Sequence, residues 1–313
     1  MGAAEVSRRT VFGLVTTAAL LGLPSPAHAA PLLTSIPVGR RPQAVAVNPV
    51  TGVCHVANTA DRTVSVIDRG RTMAAVPAGG APADLAVDER TGLVYVANRT
   101  PGTTAVLDGG RVTNVVASGP GPAALALDPD TYRLYVASGE AGAVRVLDLF
   151  GGALAATIEA PGRGFSSAAI DGRTGYFASL HTGTIEVLDL DTSRFTASIP
   201  VGDGPAGLAV HHGTGTVYVA NSGIHHLSVV DGAQTRTILL RSEASSVAVH
   251  QATHTVYANG GPDGLVRIDG TRGEITGELA LGINPGQVAV DQRTGAVHVT
   301  DPLHDRLHVI TGF

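Results

Sequence analysis

His225 and His226 stand side by side, and Glu140, His181, Glu243 and His304 complete the set of residue types suited to moving protons. Imidazole changes charge near neutral pH, and a carboxylate beside it makes an acid–base pair. Arg40, Arg41, Arg99 and Arg163 form a second set. Their planar guanidinium forks suit carboxylate or phosphate groups. Asp203 and Glu243 provide the opposite sign, so charges alternate among these segments. His211 and His250 end two equivalent segments where others carry Asp, which leaves open an approach of the two imidazoles. A metal needs three or four ligands with support behind them. No helical pattern exists to carry paired histidines, so no metal or other cofactor is expected.

Other chemistries are excluded more directly. The one cysteine, Cys54, cannot form an internal disulfide and belongs to no CxxC or CxxCH motif. It is expected to be a buried thiol. The absence of tryptophan removes tryptophan-derived redox cofactors, and Gly-x-Ser-x-Gly is absent. With no lysine and a formal charge of −5, the chain is poorly matched to nucleic acid, whose affinity comes from neutralised phosphates.

These residues are spaced by a repeat. Segments of the form PQAVAVNPVTG begin at residues 42, 82, 122, 165, 205, 244 and 285. Each precedes a copy of a pentapeptide seen as VYVAN at 94–98 and 217–221. A period near forty residues, filled by short alternating runs rich in Val, Ile and Tyr with turns between them, predicts four strands per repeat. The opening LLTSIPVG copies the fourth strand of a repeat, and the last repeat stops after RLHVIT, its third. The expectation is an all-β, seven-bladed propeller of four antiparallel strands per blade. The N-terminal strand completes the last blade and closes the ring. Asp68, Asp108, Asp148, Asp189, Asp231 and Asp269 recur with the repeat and read as turn devices. The terminal Asn of the pentapeptide reads likewise. His55 and His298, in its Tyr column, read as bulky filler.

Residues 1–29 form a leader: a twin Arg8-Arg9 in SRRTVF, an uncharged run VFGLVTTAALLGL, and Ala27 and Ala29 in a cleavage pattern. They resemble a twin-arginine export signal. The expected mature domain spans 30–313, without a membrane span, secreted or held at the cell envelope or in the periplasm.

The cycle P-x-x-V-A-V-x-x-x-T-G, V-Y-V-A-N, T-V-S-V-I-D, I-P-V-G resembles the YVTN-repeat propellers, the exported YncE-like proteins among them. The resemblance covers residues 32–311. The fourth repeat departs from it in GYFASLHTG, and the sixth in TVYAN and SEASS. It implies that the first strand of each blade is innermost. The fourth-to-first and second-to-third loops then share one rim, here called the front rim. That rim carries the loops GRRPQ, GGAPAD, GPGPAA, GRGFSS, GDGPAG, SEASS and GINPGQ. It also carries Asp61, Arg62, Arg99, Glu140, His181, His225, His226, Asp263, His304 and Asp305. The expected function is a non-enzymatic, monomeric binding module that meets a protein, glycan or other envelope ligand there. The alternative is a lyase or lactonase with a His/Glu site at the channel mouth.

Overall fold

The computed structural model describes residues 30–232, 234–260 and 264–313. The leader and Asp263 lie outside them. Seven four-stranded sheets follow one another around a ring. Blade 1 is typical: Pro42–Val47, Cys54–Asn58, Thr63–Asp68 and Arg71–Pro77, paired in chain order. The inner strands of blades 2 to 7 are Pro82–Val87, Pro122–Asp128, Phe165–Asp171, Pro205–His211, Val247–His250 and Val288–Val290. The opening strand Leu32–Pro37 pairs antiparallel with Arg306–Thr311 and becomes the outer strand of blade 7. The ring therefore closes through hydrogen bonds between the two ends of the chain, as the repeat arithmetic required.

Packing follows from the strand period. The second strands are buried on both faces, as in Val94–Asn98. The outer strands are mostly exposed, as in Arg111–Ala117. The core divides into seven apolar clusters, one between each pair of neighbouring blades. Near the axis the wedge between blades is narrowest. With inner-strand positions counted from the repeat starts at 42, 82, 122, 165, 205, 244 and 285, the fifth is therefore alanine in every blade, from Ala46 and Ala86 to Ala289. Cys54 is buried at the junction of blades 7 and 1, and burial pushes its thiol pKa up. His55 and His298 are buried as filler; desolvation holds His55 down to about 4.

A second repeated pair is polar. The last residue of the second strand meets the third residue of the third strand beneath the front rim. In blades 1 and 5 it is Asn58 with Ser65 and Asn221 with Ser228, bonded at 2.9 and 3.0 Å. Where the partner is larger, the Asn becomes Ser: Ser138 with Arg145, Ser179 with Glu186. In blade 7 the pair is Asp301 with His308, 3.4 Å apart.

Candidate functional site

The channel opens on the front rim in a cavity of about 660 Å³. Its wall is built from the first turns of the inner strands and from the loops after the second strands. Four of the sequence candidates line it: Arg41, Arg99, Glu140 and His181. They come from blades 1, 2, 3 and 4 in order and form one charged arc. The loops of blades 5 and 6 meet the rim with small residues, Ser222, Gly223 and Gly260. Arg41 is held in left-handed backbone (φ 53°), and its amide donates to Asp305 at 2.9 Å. The Arg41 and Arg99 guanidinium groups have no hydrogen-bond or ion-pair partner among the described residues.

The other candidates are engaged elsewhere. Arg40 is tied to Asp61 at 2.5 Å, and its amide donates to the same carboxylate at 2.8 Å. That pairing raises the Arg40 pKa and lowers that of Asp61. The stem of Arg163 lies against Gly142 rather than the cavity. Asp203 packs beside Gly223, whose amide donates to its carbonyl at 3.1 Å. His225 and Glu243 approach to 4.0 Å away from the cavity, both exposed. His226 is half-buried at the start of a third strand. His304 reaches back 2.8 Å to Asp301. Burial pushes the Asp301 carboxyl up, but the bonds from His304 and His308 outweigh it and hold it below the ordinary range.

His211 and His250 do not meet. They lie on the opposite, back rim, where His211 stacks on His254 with ring centroids 3.6 Å apart. Each bonds across to the next blade: His211 to the Gln251 carbonyl at 3.0 Å and His250 to the Gln292 carbonyl at 3.2 Å. The approach of the two imidazoles that the sequence left open is corrected by this pairing with the neighbouring turns. Among the described residues no group of three or more His, Cys, Asp or Glu is placed to hold a metal ion.

Sequence reasoning missed the third inner-strand position, where Asp84, Ser167, Gly207, Ser246 and Gln287 line the cavity while Ala44 and Ala124 are buried between blades. Asp84 accepts the Leu85 amide at 2.9 Å and, across the junction, the Leu125 amide at 2.8 Å. Burial pushes its carboxyl up to about 6, against the pull of those amides and Gln287. Ser167 accepts the Leu208 amide, Ser246 the Val288 amide and Gln287 the Val45 amide. The signal was present in the aligned repeats. That column reads Ala44, Asp84, Ala124, Ser167, Gly207, Ser246, Gln287, a variable polar position inside an otherwise apolar strand.

Hydrazine synthase from Kuenenia stuttgartiensis has a similar solved structure, with TM-score 0.78 over 87% of this chain and 95% of that one. The chain is a seven-bladed β-propeller. At 13% identity the likeness reaches the fold and goes no further. No family profile and no curated protein matches the propeller's sequence. Among the described residues no helix is long and apolar enough to cross a membrane.

Proposed function

We propose that this propeller is an exported interaction module of the YVTN-repeat kind, monomeric, which takes an anionic partner at the front mouth of its channel. The observation that carries the reading is the pair Arg41 and Arg99. Two guanidinium groups without a carboxylate partner among the described residues face one 660 Å³ cavity, while Arg40, next in sequence, is neutralised by Asp61. A cation left unpaired at a concave site attracts and orients an anion. A propeller ring also supplies a stiff scaffold on which loops can vary.

The enzyme reading, of lyase or lactonase type, rests on Glu140 and His181, which share the mouth on adjacent blades. His225, Glu243 and His304 lie away from it, so the convergence that acid–base catalysis requires is not assembled from the predicted set. The binding reading is therefore preferred.

The test is partner capture from the envelope fraction by the wild-type ring and by an Arg41→Gln/Arg99→Ala variant, with Glu243→Gln as a control on the same rim. A partner kept by the control and lost by the double variant supports the reading. Equal capture by all three refutes it. Export is tested separately: Arg8→Lys/Arg9→Lys should hold the chain in the cytoplasm, and unchanged secretion would remove the twin-arginine assignment.

A further inference from the structure

The inner strand of every blade is an edge strand facing the channel. In an antiparallel ladder alternate residues turn both N–H and C=O away from their partner strand. At the fourth inner-strand position the N–H therefore points into the channel. Five of the seven such amides are capped by a side chain from the third position. Val45 is capped by Gln287, Leu85 and Leu125 by Asp84, Leu208 by Ser167 and Val288 by Ser246. The remaining two are Ala168 in blade 4 and Val247 in blade 6. They hold the same register, opposite Phe177 and Ala258. Neither amide has a side-chain acceptor among the described residues, because the preceding blades offer Ala124 and Gly207 at the capping position.

Gly207 is fixed by packing: a Cβ there would come within 2.7 Å of the Ser245 carbonyl and the Ser246 Cα. Ala124 is buried in the cluster between blades 3 and 4, and Ser stands at its equivalents in blades 4 and 6. The two open donors lie across the ring from Arg41 and Arg99 of blades 1 and 2. Val247 and the strand residues Ser166 and Ser167, which precede Ala168, line the same cavity as the arginines. An unpaired edge amide is matched by a carbonyl, as when an extended chain adds to a sheet edge. The mouth offers no exposed aromatic face on which a sugar ring could stack; its one aromatic, Phe165, is buried.

We propose that the mouth binds an extended acidic peptide segment. Its carboxylates meet Arg41 and Arg99, and its backbone carbonyls accept from the Ala168 and Val247 amides. This rests on the reading of the front rim given above and adds the chemical class of its ligand and a second subsite.

Tetraglutamate labelled at its N-terminus, followed by fluorescence anisotropy, is the probe, with labelled oligogalacturonate as the anionic sugar. Ala124→Ser should cap Ala168 as Ser167 caps Leu208. It should weaken tetraglutamate about fivefold, the worth of one hydrogen bond, with the melting temperature unchanged. Arg99→Ala should weaken it about tenfold or more. Ser167→Ala, which opens a further donor at Leu208, should leave binding undiminished. A loss there as large as in Ala124→Ser overturns the amide subsite, because disturbing the column would then suffice. If Arg99→Ala loses the peptide and Ala124→Ser does not, the subsite falls and the rim stands. If oligogalacturonate binds and tetraglutamate does not, the peptide class falls. If neither binds at millimolar concentration the proposal also falls, and partner capture decides the rim by itself.

Discussion

The two rims of the ring use the same residue types to opposite ends. On the back rim, polar groups are paired across blade junctions. Arg173 bridges Asp128 of the preceding blade at 2.9 Å and Asp191 of its own at 2.7 Å. His212 meets Asp171 at 2.9 Å, Arg90 lies over the Tyr132 ring and bonds the Pro129 carbonyl, and Gln251 and Gln292 each cap an inner-strand carbonyl of the blade before. On the front rim, among the described residues, the Arg41 and Arg99 guanidinium groups have no protein partner and two channel amides have no side-chain acceptor. Charge by itself therefore marks nothing in this molecule; whether its hydrogen-bonding capacity is already used does. The back rim holds the ring together, and the front rim has capacity left for another molecule.

The largest effect that would sharpen this contrast is at Asp128. Its carboxylate is buried and accepts from the Asp130 amide at 3.0 Å, Thr131 Oγ1 at 2.6 Å and Arg173 at 2.9 Å. Desolvation pushes its pKa up, but these bonds prevail and hold it below the ordinary value. Asp128→Ala should cost about 3 kcal/mol in denaturant unfolding, as for a broken buried network, with partner capture intact at temperatures where the ring is folded. Because the folded carboxyl is the stronger acid, its contribution is present above pH 4 and lost as pH falls below. A front-rim binding defect in the folded variant would break the division of labour.

Arg99→Ala is the complement. It should reduce affinity for the anionic partner about tenfold or more while unfolding changes by about 0.5 kcal/mol or less, the usual range for an exposed, unpaired side chain. Titration calorimetry and denaturant melts on the same preparation check both halves. A stability loss comparable with Asp128→Ala would mean that Arg99 holds structure and that the rims do not differ as argued.

Sequence reached the ring because a forty-residue period leaves few architectures, and because LLTSIPVG supplies the fourth strand that the last repeat, ending at RLHVIT, lacks. It also named the rim. Within the rim it ranked residues by chemical type, and type could not separate Arg41 from Arg40. The difference is that Asp61 lies 2.5 Å from one and not from the other. The capping column was overlooked for a related reason. Asp84, Ser167, Ser246 and Gln287 read as scattered polar residues until the closed ring puts the next blade's amide in front of each. Ala124 and Gly207 then become informative for what they fail to provide, which no reading of side-chain chemistry would reveal.

A smaller effect comes from pH. Asp84 lines the mouth with a carboxyl raised by burial to about 6, so it is charged at pH 7.5 and largely neutral at pH 5. Its charge opposes an anionic ligand, so tetraglutamate should bind a few-fold more tightly as pH falls from 7.5 to 5.5, where free glutamate carboxylates remain ionised. Asp84→Asn keeps one acceptor for the two amides and should flatten the profile. A profile untouched by that substitution would remove Asp84 from the site.

The smallest expected effect is at Glu243 and Asp203, and it bears hardest on the comparison. Both are acidic, both sit on the front rim, and neither lines the cavity. If rim charge in general governs capture, Glu243→Gln and Asp203→Asn should each strengthen an anionic partner's binding by removing repulsion, and added salt should weaken the wild type less than the variants because it also screens that repulsion. If the mouth governs it, each should change affinity by less than about twofold, within the screening expected for exposed groups. A salt titration of the wild type and the two variants separates the cases. Near-identical slopes and midpoints would locate the recognition in the channel mouth, where Arg41, Arg99 and the uncapped amides stand together.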